Sequence, residues 1–382
     1  MTTTIQINRK ALISALTLAS KVSPKRAVTP ILSYVRLYIE GSVFKVDATD
    51  LDQDLMLPLA FEARITGGPL GSVVFNAVCV NLSEMISVAK ISKAPSAYIV
   101  SSEDGFTLDG ARLNTLPVQD WPHYDAPRSL KADGGTIALT NEDWLSYLAM
   151  VSPVASTEHM RYYLNGVLIR ALSKSKVAIV ATDGHRLAAL EVDRFNTLKR
   201  EAIIPNAALK TMALLFKLGG QSDKIALEFV GGGAVRMENE HFTYSTKVID
   251  GSFPDYERII PTRTDLSGQL FLDTETLTDA AKSILALPNS SKAPVAVLTA
   301  LDAHMTLETS PYAPVQMSFT LYDTSMNGDI KACFNARYLA DLGKTFDKRA
   351  ELRLQFTDAH SPILITSPSV TGLSYVLMPI RG

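Results

Sequence analysis

Two helix-forming segments recur along the 382-residue chain with one period, and this constrains the fold more than any other feature. The first type opens after Asn8, where Leu12, Leu16, Ala19 and Val22 share one helical face. It returns at Asn141, whose Asn-Glu-Asp start supplies a cap and an acidic first turn before Trp144, Leu145 and Leu148, and again at Asp273 in DTETLTDAAKSIL. These starts are 133 and 132 residues apart. The second type follows short apolar runs at Asn76, Asn206 and Asn335, spaced by 130 and 129 residues, and each Asn reads as an N-cap at a strand-to-helix turn. Thr49-Asp50 and Thr182-Asp183 keep the same period, as do Trp121-Pro122-His123-Tyr124 and Phe253-Pro254-Asp255-Tyr256.

With β-rich runs such as YVRLYIE and KVAIVATD between the helices, the expectation is an α+β chain of three like domains, each with two helices and antiparallel sheets. Polar, Pro-containing stretches near Asp125–Ser129 and Pro261–Asp265 place the domains at 1–128, 129–263 and 264–382. Domains with exposed sheet edges can pair edge to edge, and two chains of three would close a six-domain ring with no edge left over.

Lys and Arg number 37 against 39 Asp and Glu, a formal net charge of −2. A protein that grips nucleic acid by charge usually carries a basic excess, so any DNA binding here uses a local basic surface or does not depend on affinity. The two cysteines, Cys79 and Cys333, offer neither a disulfide framework nor a CxxC metal pair, which fits a reducing compartment. The N-terminal MTTTIQINRK has no apolar targeting region and no run reaches the length of a membrane span, so a cytoplasmic protein without membrane association is expected.

The segment Arg161-Tyr162-Tyr163-Leu164-Asn165-Gly166 with Ala181-Thr182-Asp183-Gly184-His185-Arg186-Leu187-Ala188 resembles the central signature of the bacterial DNA polymerase III beta sliding clamp family. Lys247–Tyr256 is similar to its second signature, and Thr29–Leu32, Ala48–Leu51 and Tyr375–Arg381 match its first domain and C-terminal tail. The resemblance runs the whole chain, strongest in the middle domain and weaker in the third before its tail. It implies the DNA-clamp fold closed as a head-to-tail homodimeric ring, with helices lining the hole. It implies a non-catalytic processivity factor for DNA replication, without cofactor or metal, that encircles double-stranded DNA. Its partners would be the DNA polymerase III alpha subunit, a clamp loader ATPase and other proteins with clamp-binding peptide motifs.

The same resemblance implies a peptide-docking pocket between domains 2 and 3. The middle domain would supply Leu164, Thr182, Gly184, His185, Arg186, Leu187, Pro254, Arg258 and Ile259. The third would add Asn335, Tyr338, Val376, Leu377, Met378, Pro379, Ile380 and Arg381. The residue types suit that task on their own terms. Apolar side chains can desolvate a Leu or Phe anchor, worth ~1.5–3 kcal/mol each, and Met adapts to varied partners. Arg186, Arg258 and Arg381 could orient a polar or acidic rim. For DNA the resemblance points to Arg26, Tyr162 and Lys292, though Arg26 and Lys292 also read as ordinary solvated charges and Tyr162-Tyr163 equally as core and partner-pocket residues. For the dimer seam it points to Leu113 against Ile284 and Leu285, which also read as core residues of their own domains.

Asp183 beside His185 admits a second reading, a hydrolase or a metal site. No HExxH or GxSxG accompanies the pair, and a turn role for Asp183-Gly184 with a pocket-lining His185 is favoured. Gly231-Gly232-Gly233 lacks the Lys-Ser/Thr of a phosphate loop and reads as a hairpin turn. The chain departs from the family at Val78 and Ala207, where basic residues are often found, at Pro362, where a small hydroxyl is more usual, and at its Arg381-Gly382 end. These departures keep open a clamp-fold protein that dimerises and docks peptides without threading DNA.

Overall fold

The computed structural model describes residues 2–66, 75–102, 105–122, 130–262, 266–286, 295–301, 304–308, 316–320, 324–326 and 330–380. Six helices among them follow the repeat: α1 (Arg9–Val22), α2 (Leu82–Ile91), α3 (Asn141–Val151), α4 (Asn206–Leu215), α5 (Thr274–Leu285) and α6 (Ala336–Thr345). Asn8 caps α1, its side chain accepting the Ala11 N–H at 3.1 Å, and Leu12, Leu16, Ala19 and Val22 are buried along one face. Asn335 caps α6 through the Arg337 N–H at 3.0 Å. Asn141 behaves differently, because its amide donates to the Gly220 carbonyl at 2.9 Å instead of closing its own helix.

The second helix of the first repeat starts later than its sequence suggests. Asn76 lies before a strand, Val78–Asn81, and α2 opens only at Leu82. The cap is Asn81, which accepts the Glu84 N–H at 3.1 Å. Val78, Cys79 and Val80 prefer the pleated surface, and Asn81 with Glu84 three residues on carries the cap signal that Asn76 lacks.

The fold gathers into two compact units, one of residues 1–142, 197–199 and 210–248, the other of residues 143–196, 200–209 and 249–382. The first holds a nine-stranded antiparallel sheet in the order Thr115–Leu116, Val78–Asn81, Tyr34–Glu40, Val43–Thr49, Gln53–Leu59, Thr243–Lys247, Ala234–Glu238, Lys224–Val230, Thr136–Thr140. A five-stranded sheet around Thr2–Asn8 completes it. The second unit holds its own nine-stranded sheet, in the order Ala202–Pro205, Gly166–Ser173, Lys176–Thr182, Arg186–Asp193, Val370–Leu377, Ile363–Ser367, Glu351–Phe356, Gly268–Asp273, Thr324–Met326, and a four-stranded one around Val295–Leu301. Gly231-Gly232-Gly233 forms a hairpin turn, with Gly232 and Gly233 at φ +69° and +68°. Among the described residues no helix is long and apolar enough to cross a membrane.

Each large sheet carries a seam between successive repeats. In the first unit Gln53–Leu59 pairs antiparallel with Thr243–Lys247, with Gln53 opposite Thr246 and Leu55 opposite Tyr244. In the second, Arg186–Asp193 pairs with Val370–Leu377, with Arg186 opposite Leu377 and Leu187 opposite Val376. An edge strand of one repeat is thus covered by an edge strand of the next, the pairing expected from unpaired sheet edges. The proposed domain breaks at residues 125–129 and 263–265 fall outside the described residues.

Candidate functional site

Both seams begin with the same turn. In the first, the Thr49 hydroxyl donates to the Gln53 carbonyl at 2.9 Å and accepts the Leu51 N–H at 3.1 Å. One Asp50 carboxylate oxygen accepts the N–H groups of Asp52 (3.0 Å) and Gln53 (2.6 Å), and the other accepts the Gln53 side chain at 3.0 Å. In the second, Thr182 bonds the Arg186 carbonyl and the Gly184 N–H at 2.7 and 3.0 Å, and Asp183 takes the His185 and Arg186 N–H groups at 2.9 and 3.0 Å. Its other oxygen accepts Arg186 Nε at 3.0 Å. Each turn also ties the next repeat: Lys247 N–H donates to the Asp52 carbonyl at 2.8 Å, and Met378 N–H to the His185 carbonyl at 2.9 Å. The third turn residue has positive φ in both, +77° at Leu51 and +87° at Gly184. Both oxygens of Asp183 are therefore occupied by the turn itself, which leaves it poorly placed to act as a base toward His185.

The two seams part company at the fourth position after Thr. Gln53 is buried, and its carbonyl oxygen accepts the hydroxyls of Thr211 at 3.0 Å and Tyr244 at 2.8 Å. Burial pushes the Tyr244 hydroxyl well above the ordinary phenol pKa. At the second seam Arg186 is 9% exposed and spans both repeats. Besides Asp183 it donates to Asp341 at 2.9 Å and to the Pro153 carbonyl at 3.2 Å, and its guanidinium lies 4.5 Å from the centroid of the Tyr338 ring. Burial disfavours its charge, yet Tyr375, Asp341 and Asp183 more than offset that and hold its pKa above the ordinary guanidinium value. Three of its five N–H donors are thereby committed inside the protein, to Asp183, Asp341 and the Pro153 carbonyl.

Around this turn the second unit gathers an apolar cluster. Leu164, Leu187, Val376, Leu168, Phe253 and Tyr256 belong to it, and Tyr163, Ile249, Ile259 and Ile260 pack against it half-buried. His185 stacks on Tyr338 at 6.2 Å between ring centroids and 23° between planes. Thr182 and Leu377 are buried, but Leu377 faces away from the cluster that Val376 joins, as adjacent strand positions must. Met378, Pro379 and Ile380 remain half-buried, and the Ile380 N–H donates to the Cys333 carbonyl at 2.8 Å. Asn335 is half-buried and spends its side chain capping α6. Pro254 and Arg258 are exposed, with Arg258 held to Asp255 at 2.6 Å. Arg381 and Lys292 lie outside the described residues.

The remaining expected residues are dispersed. Arg26 is exposed and Tyr162 is 54% exposed. Leu113 and Ile284 are only 7% and 2% exposed, the core placement the sequence also allowed, whereas Leu285 is half-buried. Tyr163, which the sequence also allowed as a core or pocket residue beside Tyr162, packs half-buried against the cluster, whereas sequence reasoning missed Asp341. Asp341 sits one helical turn after Tyr338, but nothing local ties it to an arginine 155 residues away.

Comparisons with known proteins give this geometry a context. Residues 140–255 match the model of the DNA polymerase III beta subunit central domain, and residues 257–381 that of its C-terminal domain. The beta sliding clamp of Caulobacter vibrioides is 28% identical over 390 residues, covering 99% of this chain and 99% of that protein. That of Vibrio cholerae is 26% identical over 379 residues, covering 98% and 99%. The solved C. crescentus beta sliding clamp superposes with TM-score 0.85 at 26% identity, covering 100% of both chains. The Bacillus subtilis DNA polymerase sliding clamp, 18% identical with TM-score 0.86 and the same coverage, shares the fold.

Proposed function

The chain belongs to the DNA polymerase III beta subunit family, and we propose that it works as a DNA sliding clamp, a processivity factor that encircles duplex DNA and tethers the replicative polymerase. The supporting observation is the repeated seam. One Thr-Asp turn, used twice, lets each repeat extend the sheet of the next. A third and fourth pairing of that kind, between two copies, would close the three domains at 1–128, 129–263 and 264–382 into a homodimeric ring of six. Leu285 is the expected seam residue with surface to offer; Leu113 and Ile284 would support it from within.

In this reading the protein catalyses nothing and resides in the cytoplasm. Threading replaces affinity, so a chain of net charge −2 can stay on DNA through a few weak contacts, with Arg26, Tyr162 and Lys292 facing the duplex. The apolar cluster with His185, Tyr338, Ile259 and Met378 docks short peptides from the polymerase alpha subunit, the clamp loader ATPase and other partners.

Two measurements test these parts separately. The protein loaded on closed circular DNA is expected to persist at salt that dissolves ordinary phosphate contacts, and to leave promptly once the circle is cut. Equally fast loss from circle and line would refute threading. His185→Ala is expected to weaken binding of a fluorescent peptide with a Leu-Phe anchor by roughly tenfold, equivalent to ~1.4 kcal/mol, while the solution mass stays near twice 41.5 kDa. Unchanged peptide affinity would remove His185 from the docking site.

A further inference from the structure

The strand that carries each seam holds one place in its repeat, third after the second helix. It is Thr243–Lys247 in the second repeat and Val370–Leu377 in the third, and each is paired on both sides within the chain. In the first repeat that place falls to Ala111–Arg112, the last strand of the five-stranded sheet. Among the described residues no strand lies beyond it. On its inner side Ala111 faces Leu108 and Arg112 faces Thr107, and the Leu113 N–H donates to the Phe106 carbonyl at 3.2 Å. So short a strand, paired on one side only, has little of its own to keep it from fraying.

Arg9 supplies a tether. It opens α1, where a cation opposes the helix dipole and no acid in the first turn offsets it, yet its side chain is only 5% exposed. It donates to the carbonyls of Ala94 (2.6 Å), Ala89 (3.1 Å) and Ser96 (2.6 Å), and to the Asp109 carboxylate at 2.6 Å. Asp109 exchanges two further bonds with Tyr98. Its N–H donates to the Tyr98 carbonyl at 2.8 Å, and its other carboxylate oxygen accepts the Tyr98 N–H at 2.9 Å. Asp109 and Gly110, at φ +51° and +83°, form the turn between Gly105–Leu108 and Ala111–Arg112. One buried guanidinium thus joins the end of α2, the start of Ser96–Ser102 and the edge hairpin. The other repeats do without it. Near the starts of α3 and α5 stand Glu142 and Glu275, both exposed. Their N–H groups donate to the Gln221 and Lys348 carbonyls at 3.1 and 3.0 Å, as the Arg9 N–H does to Pro95 at 2.8 Å. The backbone joint is common to all three repeats, and the buried arginine belongs to the one whose seam strand lacks an outer neighbour.

Resting on the ring reading, we propose that Arg9, acting through Asp109, is a positioning residue that holds the first repeat's seam strand in place for a second copy of this chain. The strand it would meet is Gln316–Thr320, which ends the four-stranded sheet. That strand is third after the first helix of its repeat, the place held by Gln53–Leu59 and Arg186–Asp193 in the other two. An edge ordered before association loses less conformational freedom when the copies join, so the tether strengthens the ring without touching the partner.

The test is the dimer dissociation constant of the full chain, from sedimentation across a dilution series, read beside hydrogen exchange at the Leu113 amide. Asp109→Gly keeps the positive φ of the turn and removes the carboxylate that Arg9 holds. It is expected to raise the dissociation constant by about tenfold or more and to speed exchange at Leu113 in the monomer. Asp109→Asn, which retains an acceptor for the Tyr98 N–H, should fall between that variant and the wild type. Val46→Ala, which opens a cavity at a fully buried position of the nine-stranded sheet, should leave the dissociation constant unchanged. An unmoved constant or unmoved Leu113 exchange in Asp109→Gly overturns the proposal. So does an equal weakening from Val46→Ala, which would make the effect one of general stability. A wild type that stays monomeric refutes the ring and this proposal with it, whereas a dimeric wild type with an unmoved Asp109→Gly constant refutes the tether alone.

Discussion

Arg186→Ala is expected to cost about 3–5 kcal/mol of folding free energy and to abolish peptide docking with it. The estimate follows from burial. The guanidinium is 9% exposed and its carboxylate partners Asp183 and Asp341 are 16% and 23% exposed, so deletion takes one charged partner from each where water reaches them poorly, leaving Asp183 its two backbone N–H donors and Asp341 its pair with Lys344 at 2.6 Å. It also removes the cation over the Tyr338 ring and thereby the support on which His185 stacks. Hydrogen exchange in the strands Arg186–Asp193 and Val370–Leu377 measures the loss where it arises, without treating the whole chain as one transition. The second variant Asp341→Ala, alone and combined with Arg186→Ala, should show a coupling of at least ~1 kcal/mol. A cost below ~1 kcal/mol for Arg186→Ala would mean that the arginine is not what joins the repeats here.

At the other seam, Gln53→Ala is expected to cost roughly 2–3 kcal/mol, because it deprives the buried Tyr244 and Thr211 hydroxyls of a shared acceptor. Tyr244→Phe should cost less, about 1 kcal/mol, since it removes the donor and leaves Gln53 its bond to Thr211. The order of the two variants is the informative result. If Tyr244→Phe proves the more damaging, the ring's packing and not the shared acceptor sustains the seam. The contrast with Arg186 also accounts for the difference between the seams. Where Gln53 stands, the neighbouring Asp52 pairs with Lys247 at 3.2 Å; where Arg186 stands, those positions are His185 and Met378, an aromatic and an apolar side chain suited to a partner.

The helices, their apolar faces and their Asn caps were legible because they depend on residues within a few positions of one another. The slip at Asn76 was itself local, a choice between two nearby Asn residues that the Glu84 partner of Asn81 decides. The Thr-Asp turns were legible as a period and as turns for the same reason: Thr49 and Thr182 bond residues at most four positions away. The hairpin at Gly231–Gly233 belongs with them.

What Arg186 does could not be read that way. Its partner Asp341 is 155 residues distant, and Gln53 meets Tyr244 across 191. Strand pairing alone sets such neighbours, by laying an edge of one repeat on an edge of the next. The compact units reflect the same pairing: the end of the middle repeat, Thr243–Lys247, sits in the sheet of the first, although the period places it elsewhere. Sequence by itself determined the recurrence of the helices, the turns and the apolar character of the cluster around Leu187. Tertiary structure decided which charges are buried and which remain free, because solvent exclusion depends on contacts that no local spacing records.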